Sequence, residues 1–173
     1  KIFTFEPLPQ NFEILQKNTE LYENISVFNV GLGKEDGSFD IYMSDDSENF
    51  GGASLYSETS NVNNECKINC QVRNVDDILN ELNINNIDLI KIDTEGAEYD
   101  ILTSINSNLL TNVKWITGEL HGNKDFELLN YLENLKFEIS MKKKINSKLF
   151  MFHCTKKEMI EKLNINDINQ LNK

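Results

Sequence analysis

Three acids and a glycine fall within six residues in Asp93-Thr94-Glu95-Gly96-Ala97-Glu98, directly after a run carrying Ile87, Leu89, Ile90 and Ile92. Short β-branched runs of this kind are the pattern of a strand covered on both faces. Open α/β sheets bind ligands just beyond the carboxyl ends of their strands, so Asp93 and Glu95 are site candidates. Helix capping by Asp93 or Thr94, with Glu95 and Glu98 favouring the first turn, would also account for the acids. It would not explain why so apolar a strand should end in a charged cluster. Lys91 lies inside that strand, where a buried ammonium is costly unless the neighbouring acids neutralise it.

A second such end follows at Glu119-Leu120-His121, after the apolar run from Val113. Strand alternation sends Glu119 and His121 to the same side, so Asp93, Glu95, Glu119 and His121 can converge at one sheet edge. A histidine titrates near neutrality and can take a proton from a hydroxyl. The carboxylates could instead hold a magnesium ion, which takes oxygen ligands. Glu6 closes an earlier strand just before a helix. An acid there either accepts hydrogen bonds from ribose hydroxyls or favours the helix entry through the macrodipole. Asn29 closes the next strand and either reads an adenine edge or satisfies a turn. Asn49-Phe50-Gly51-Gly52-Ala53-Ser54-Leu55 lies in a long polar stretch, a lid over the substrate side or a connector.

The elements that must position these residues alternate. Strands are expected over residues 1–5, 25–30, 38–43, 67–72, 87–93 and 113–120. Helices are expected from Pro9 to Glu23, over 75–82, over 97–105 and over 126–135. Pro7 and Pro9 end the first strand and pre-set the first helix, and Gly31-Leu32-Gly33 reads as a stop. Residues 137–141 and 149–154 flank the basic turn Lys142-Lys143-Lys144 and read as an antiparallel hairpin. The order predicts an α/β fold: a Rossmann-like, doubly wound, mostly parallel sheet ending in that hairpin. One domain is expected over residues 1–155, followed by an amphipathic helical tail over 156–173.

Composition narrows the function further. With 173 residues and a net charge of -11, the chain can bury a sizeable core but is a poor general binder of nucleic acid. No apolar run spans a bilayer, so no membrane partner is expected. Three cysteines without a CxxC pair suggest a reduced, cytoplasmic protein. Oligomeric state has no signature here.

Six blocks occur in an order that resembles the FkbM-type methyltransferases. They are Phe5-Glu6-Pro7-Leu8-Pro9-Gln10-Asn11-Phe12, Asn29-Val30-Gly31-Leu32-Gly33, Gly51-Gly52-Ala53-Ser54-Leu55, Val75-Asp76-Asp77-Ile78-Leu79, Ile90 to Glu98, and Glu119-Leu120-His121. The resemblance covers about residues 1–155. It implies a class I methyltransferase that uses S-adenosylmethionine and methylates a hydroxyl on a sugar or natural-product-like acceptor. It also implies that Glu6 holds the cofactor ribose, that Asn29 and Val30 line the adenine, and that Asp93 borders the cofactor. Glu95, Glu119 and His121, with Asp93, would surround the methyl group and acceptor. The family carries a strand and an Asp-x-Gly-Ala-x-x-Gly turn just before Phe-Glu-Pro. This chain starts immediately after that point and without Met, so a piece of a longer enzyme is expected. The rivals are a non-catalytic module that has lost cofactor binding, and a nicotinamide-dependent oxidoreductase on a similar fold.

Overall fold

The structure is a computed structural model, and it describes residues 1–44, 62–121, 124–144, 150–156 and 158–159. The polar stretch over 45–61, including the Gly51-Gly52 block, and the tail beyond residue 159 lie outside the described residues.

The first unit is small. Strand β1 (Ile2–Phe5) leads through Pro7 into helix α1 (Pro9–Thr19), and β2 (Ile25–Phe28) returns parallel to β1. Pro at the first helical turn removes an amide that would have no partner there, which fixes the helix start. Phe28 stacks on Phe3 and Phe5 at centroid distances of 6.5 and 5.1 Å. Helix α1 buries no residue, and Ile14 on it is exposed.

Glycines 31 and 33 do not stop the chain as the sequence suggests. They form a further short strand, β3 (Gly31–Gly33), parallel to β5 (Val62–Asn74), while β4 (Gly37–Ser44) pairs antiparallel with β5. A Cβ at Gly31 or Gly33 would meet Val72 at 3.0 or 2.8 Å, so the missing side chains let β3 lie close against Val72. Asn74 caps helix α2 (Val75–Glu81) by accepting the Asp77 amide.

The main core follows. Strand β6 (Leu89–Ile92) precedes helix α3 (Glu98–Ser104), a short α4 (Ser107–Thr111) that the sequence pattern does not single out, and β7 (Trp115–Leu120). Helix α5 (Asp125–Asn134) then leads to the hairpin β8 (Phe137–Lys144) and β9 (Phe150–Lys156). The sheet order is β6-β7-β9-β8, with β6–β7 parallel and the two remaining pairs antiparallel. Leu102, Leu110, Val113, Ile116, Leu120 and Leu132 are fully buried against it.

The α/β class and the terminal hairpin are as expected, but a single, mostly parallel sheet is not what the described residues form. There are three small sheets of two, three and four strands, and pairings of both senses. The physical reason is visible at β1 and β6. Each has a ladder partner on one edge among the described residues, and their open edges face a common trough of about 750 Å³. The expectation that β6 is covered on both faces is therefore corrected. Ile92 is buried, whereas Leu89 is half exposed and the Lys91 side chain is 72% exposed. Lys91 needs no neutralising partner to lie there, although its ammonium is 3.8 Å from Asp93.

Candidate active site

The carboxyl ends of β6 and β7 lie side by side, because Ile92 is in register with Gly118. From β7, alternation buries Ile116, Gly118 and Leu120 and leaves Glu119 on the opposite, half-exposed side. From β6, the chain turns sharply: Glu95 has φ 51° and Gly96 φ 113°, both left-handed, before α3 begins. A left-handed non-glycine residue is a local strain that the surroundings must hold in place. Here it aims the Glu95 carboxylate back toward β7.

The four acids and one histidine meet at this point. The Nε2 of His121 lies 3.4 Å from Glu119 and 3.6 Å from Glu95, and its Nδ1 lies 3.3 Å from Glu98. Donor atoms of Asp93, Glu95 and His121 all fall within 4.8 Å of one another. The structure thus brings together the four residues singled out at the two strand ends. It adds Glu98, which in the sequence reads as a first-turn acid. The spacing alone does not single it out, because an acid in a first helical turn is ordinary. As the first residue of α3, directly after the turn, an acid there can fold back over the turn amides.

Glu98 is 1% exposed, an unusual place for a carboxylate. Burial opposes its ionisation, but the His121 bond and backbone amides outweigh that and hold its pKa below the usual value. Burial likewise disfavours a charged His121 ring. The bond to Glu98 and the charges of Glu95, Glu98 and Asp93 win, pushing its pKa up to about 9. Burial raises the pKa of Glu95, with His121 opposing the shift. The ring at neutral pH is therefore an imidazolium among carboxylates. A magnesium ion gains no support from this set, since one of the three close donors is a ring nitrogen and magnesium takes oxygen ligands.

A pH dependence follows directly. A histidine whose folded pKa is raised from about 6.5 to about 9 stabilises the fold fully below pH 6.5, and that contribution is lost as pH rises through 9. Urea unfolding of the wild type should lose on the order of 2 to 3 kcal/mol more than His121→Gln between about pH 6 and 9.5. Equal losses in both proteins would show that the ring is not held charged.

Glu6, which lines the trough, is half buried, and its Oε1 accepts the Leu8 amide at 2.9 Å. Burial raises its pKa, against the bonds from Leu8 and Asn11. Its visible work is thus at the helix entry, and the same carboxylate also lines the trough shared with Asp93 and Glu95. Asn29 takes up the backbone-satisfying role that the sequence also allows. Its amide donates to the backbone oxygens of Glu6 and Pro7 at 2.8 and 3.2 Å, which locks the ends of β1 and β2 together. Val30 is half buried beside it.

Acids and a histidine gather at the ends of parallel strands, beside a largely apolar trough, where open α/β sheets commonly place their ligand sites. The chain belongs to the methyltransferase FkbM domain family, which matches residues 1–139. A fungal relative named Methyltransferase 1, from Beauveria bassiana, is 28% identical over 133 residues, covering 65% of this chain and 53% of its own length. The AMB antimetabolite synthetase AmbE of Pseudomonas aeruginosa is 38% identical over 56 residues, 32% of this chain and 3% of that protein. The crystal structure of a methyltransferase FkbM from Methylobacillus flagellatus shares the fold, with a TM-score of 0.56 at 18% identity. That match covers 88% of this chain and 36% of the other. The chain spans about half the length of the first relative and a small part of the second. Among the described residues, no helix is long and apolar enough to cross a membrane.

Proposed function

We propose that this chain is the part of an S-adenosylmethionine-dependent O-methyltransferase that carries the acceptor side of the site. The acceptor is a hydroxyl on a sugar or a natural-product-like molecule. The observation that carries this is the convergence of Glu95, Glu98, Glu119 and His121 at the ends of β6 and β7, in a chain of a methyltransferase family.

The residues present fit part of the cofactor, its ribose and its sulfonium end. Glu6, Asp93 and Glu95 all line the trough, with apolar walls from Phe5, Leu8 and Ile92. Its volume is in the range of small-ligand sites. Glu6 would hold the ribose diol, Val30 would lie near the base, and Asp93 would face the positive sulfonium end. When bound, S-adenosylmethionine supplies an electrophilic methyl group. The protein's own work is to orient the acceptor and to remove its proton. His121 accepts that proton at Nε2 once its ring is neutral, and Glu95 and Glu119 stabilise the imidazolium that results. A second positive charge seated nearby favours loss of the ring proton, so the base form is more available in the loaded site.

Titration calorimetry with S-adenosylhomocysteine tests the reading on the longest polypeptide encoded around this chain. Binding is expected, and its absence would leave the non-catalytic binding module as the better account. Glu6→Ala should weaken binding about tenfold to a hundredfold, the loss of a charge-assisted hydrogen bond. Glu6→Gln keeps an acceptor for the Leu8 amide, so weakening there reports the ligand rather than the helix entry.

A further inference from the structure

We infer that Glu98 is a positioning residue that locks the strained turn and the histidine to one buried carboxylate. The inference rests on the methyl-transfer reading only for its catalytic consequence. Its geometry stands by itself.

Glu98 Oε1 accepts the Thr94 amide at 3.0 Å, and its two oxygens accept the Gly96 amide at 3.2 and 3.1 Å. Those amides flank Glu95, the residue held at positive φ. The same Oε1 faces His121 Nδ1 at 3.3 Å. A carboxylate is acceptor-only, so Nδ1 must carry a hydrogen. Nε2 also faces carboxylates, but at 3.4 Å from Glu119 and 3.6 Å from Glu95, whereas the hydrogen bond of the ring runs from Nδ1 to the fully buried Glu98. A ring that has lost one proton therefore keeps the one on Nδ1 and presents Nε2 between Glu95 and Glu119. This is the orientation a proton acceptor needs, set by a third group as in base–orienter pairs on other folds. One side chain thus fixes where the Glu95 carboxylate points and which ring nitrogen faces the acceptor. An acid whose only use was the helix macrodipole would stay in water at the exposed first turn. Glu98 has instead been withdrawn from solvent, at a desolvation cost that only specific partners offset.

Glu98→Gln separates the two accounts. Its amide oxygen can still accept the turn amides, but its NH₂ then faces Nδ1, which must become the acceptor. The neutral ring of the variant should move its proton to Nε2. Long-range ¹H–¹⁵N correlation spectra of the intact chain, recorded above the ring's titration, read this directly. The wild type should show the Nδ1–H form and Glu98→Gln the Nε2–H form, with unchanged circular dichroism. A wild-type ring in the Nε2–H form would overturn the inference whether or not the variant folds, and so would the same tautomer in both proteins. In the longer polypeptide, Glu98→Gln should lower kcat on the order of a hundredfold or more while leaving the KM for the cofactor unchanged. A matched rise in that KM with kcat intact would also overturn it. Failure to bind S-adenosylhomocysteine would remove the enzyme reading and leave the tautomer result standing.

Discussion

His121→Ala should lower methyl transfer by about a hundredfold to ten-thousandfold and leave the affinity for S-adenosylhomocysteine within about threefold of wild type, the range a lost general base produces. The split follows from position. The imidazole lies at the end of β7 with Glu95, Glu98 and Glu119 around it. Glu6, the residue proposed for the ribose, follows β1, which pairs with β2 in a sheet separate from that of β6 and β7. The wild-type pH profile adds a second check. Since the free ring titrates near 9, kcat/KM should climb with pH toward that value, later than an ordinary histidine would allow. In His121→Ala the climb should vanish. A profile that is flat from about pH 6 to 9 in the wild type, or a variant that loses cofactor affinity as much as rate, would remove the base role from His121. Glu119 or Glu95 would then be the next candidate, because both carboxylates share the same space.

Much of this site is legible in the amino-acid sequence. The order of the longer elements follows from periodicity and from Pro and Gly punctuation, whereas the short β3 and α4 do not. The meeting of Asp93, Glu95, Glu119 and His121 follows from strand alternation alone, because two parallel neighbours must end on the same side of a sheet. What is not legible depends on distances between elements. The apolar run around Lys91 suggests a buried ammonium, yet burial is set by what covers β6, and the Leu89–Lys91 face has no such cover among the described residues. Asn29 has a side chain suited to a purine edge, but its amide is engaged by the Glu6 and Pro7 carbonyls. Glu98 has the position of a helix-dipole acid, and nothing in a linear sequence shows that the turn before it folds back over its carboxylate.

Gly118→Ala should be among the most damaging single substitutions in the chain, although glycine lies nowhere near a turn at this position. A Cβ built on Gly118 would sit 1.8 Å from the Ile92 carbonyl oxygen, 2.9 Å from its carbon and 2.9 Å from the Ile92 side chain. Two of these atoms are backbone of the paired strand, so no rotamer change can relieve the clash. Either β6 and β7 separate, or one of them rotates about its axis. Both movements disturb the parallel ladder that ties Leu89–Ile92 to Trp115–Gly118 and the fully buried Ile116 and Leu120 beside it. Overpacking of a tight interior costs about 1 to 3 kcal/mol when side chains can yield. With backbone as the obstacle, about 3 kcal/mol or more is expected, a fall in Tm of roughly 10 °C for a domain of this size. Gly118 is also in register with the last residue of β6, so Asp93 and Glu119 each follow directly on the clashing pair. Even a small shift there would part the Glu95 and Glu119 carboxylates from His121 Nε2. Thermal unfolding of Gly118→Ala measures the first effect, and the His121 titration midpoint the second: where the variant still folds, the midpoint should fall from about 9 toward 6.5. A variant as stable as wild type, with an unchanged midpoint, would mean that β6 and β7 do not approach as closely as their register implies. The close approach, and with it the geometry that holds His121 among its acids, would have to be redrawn.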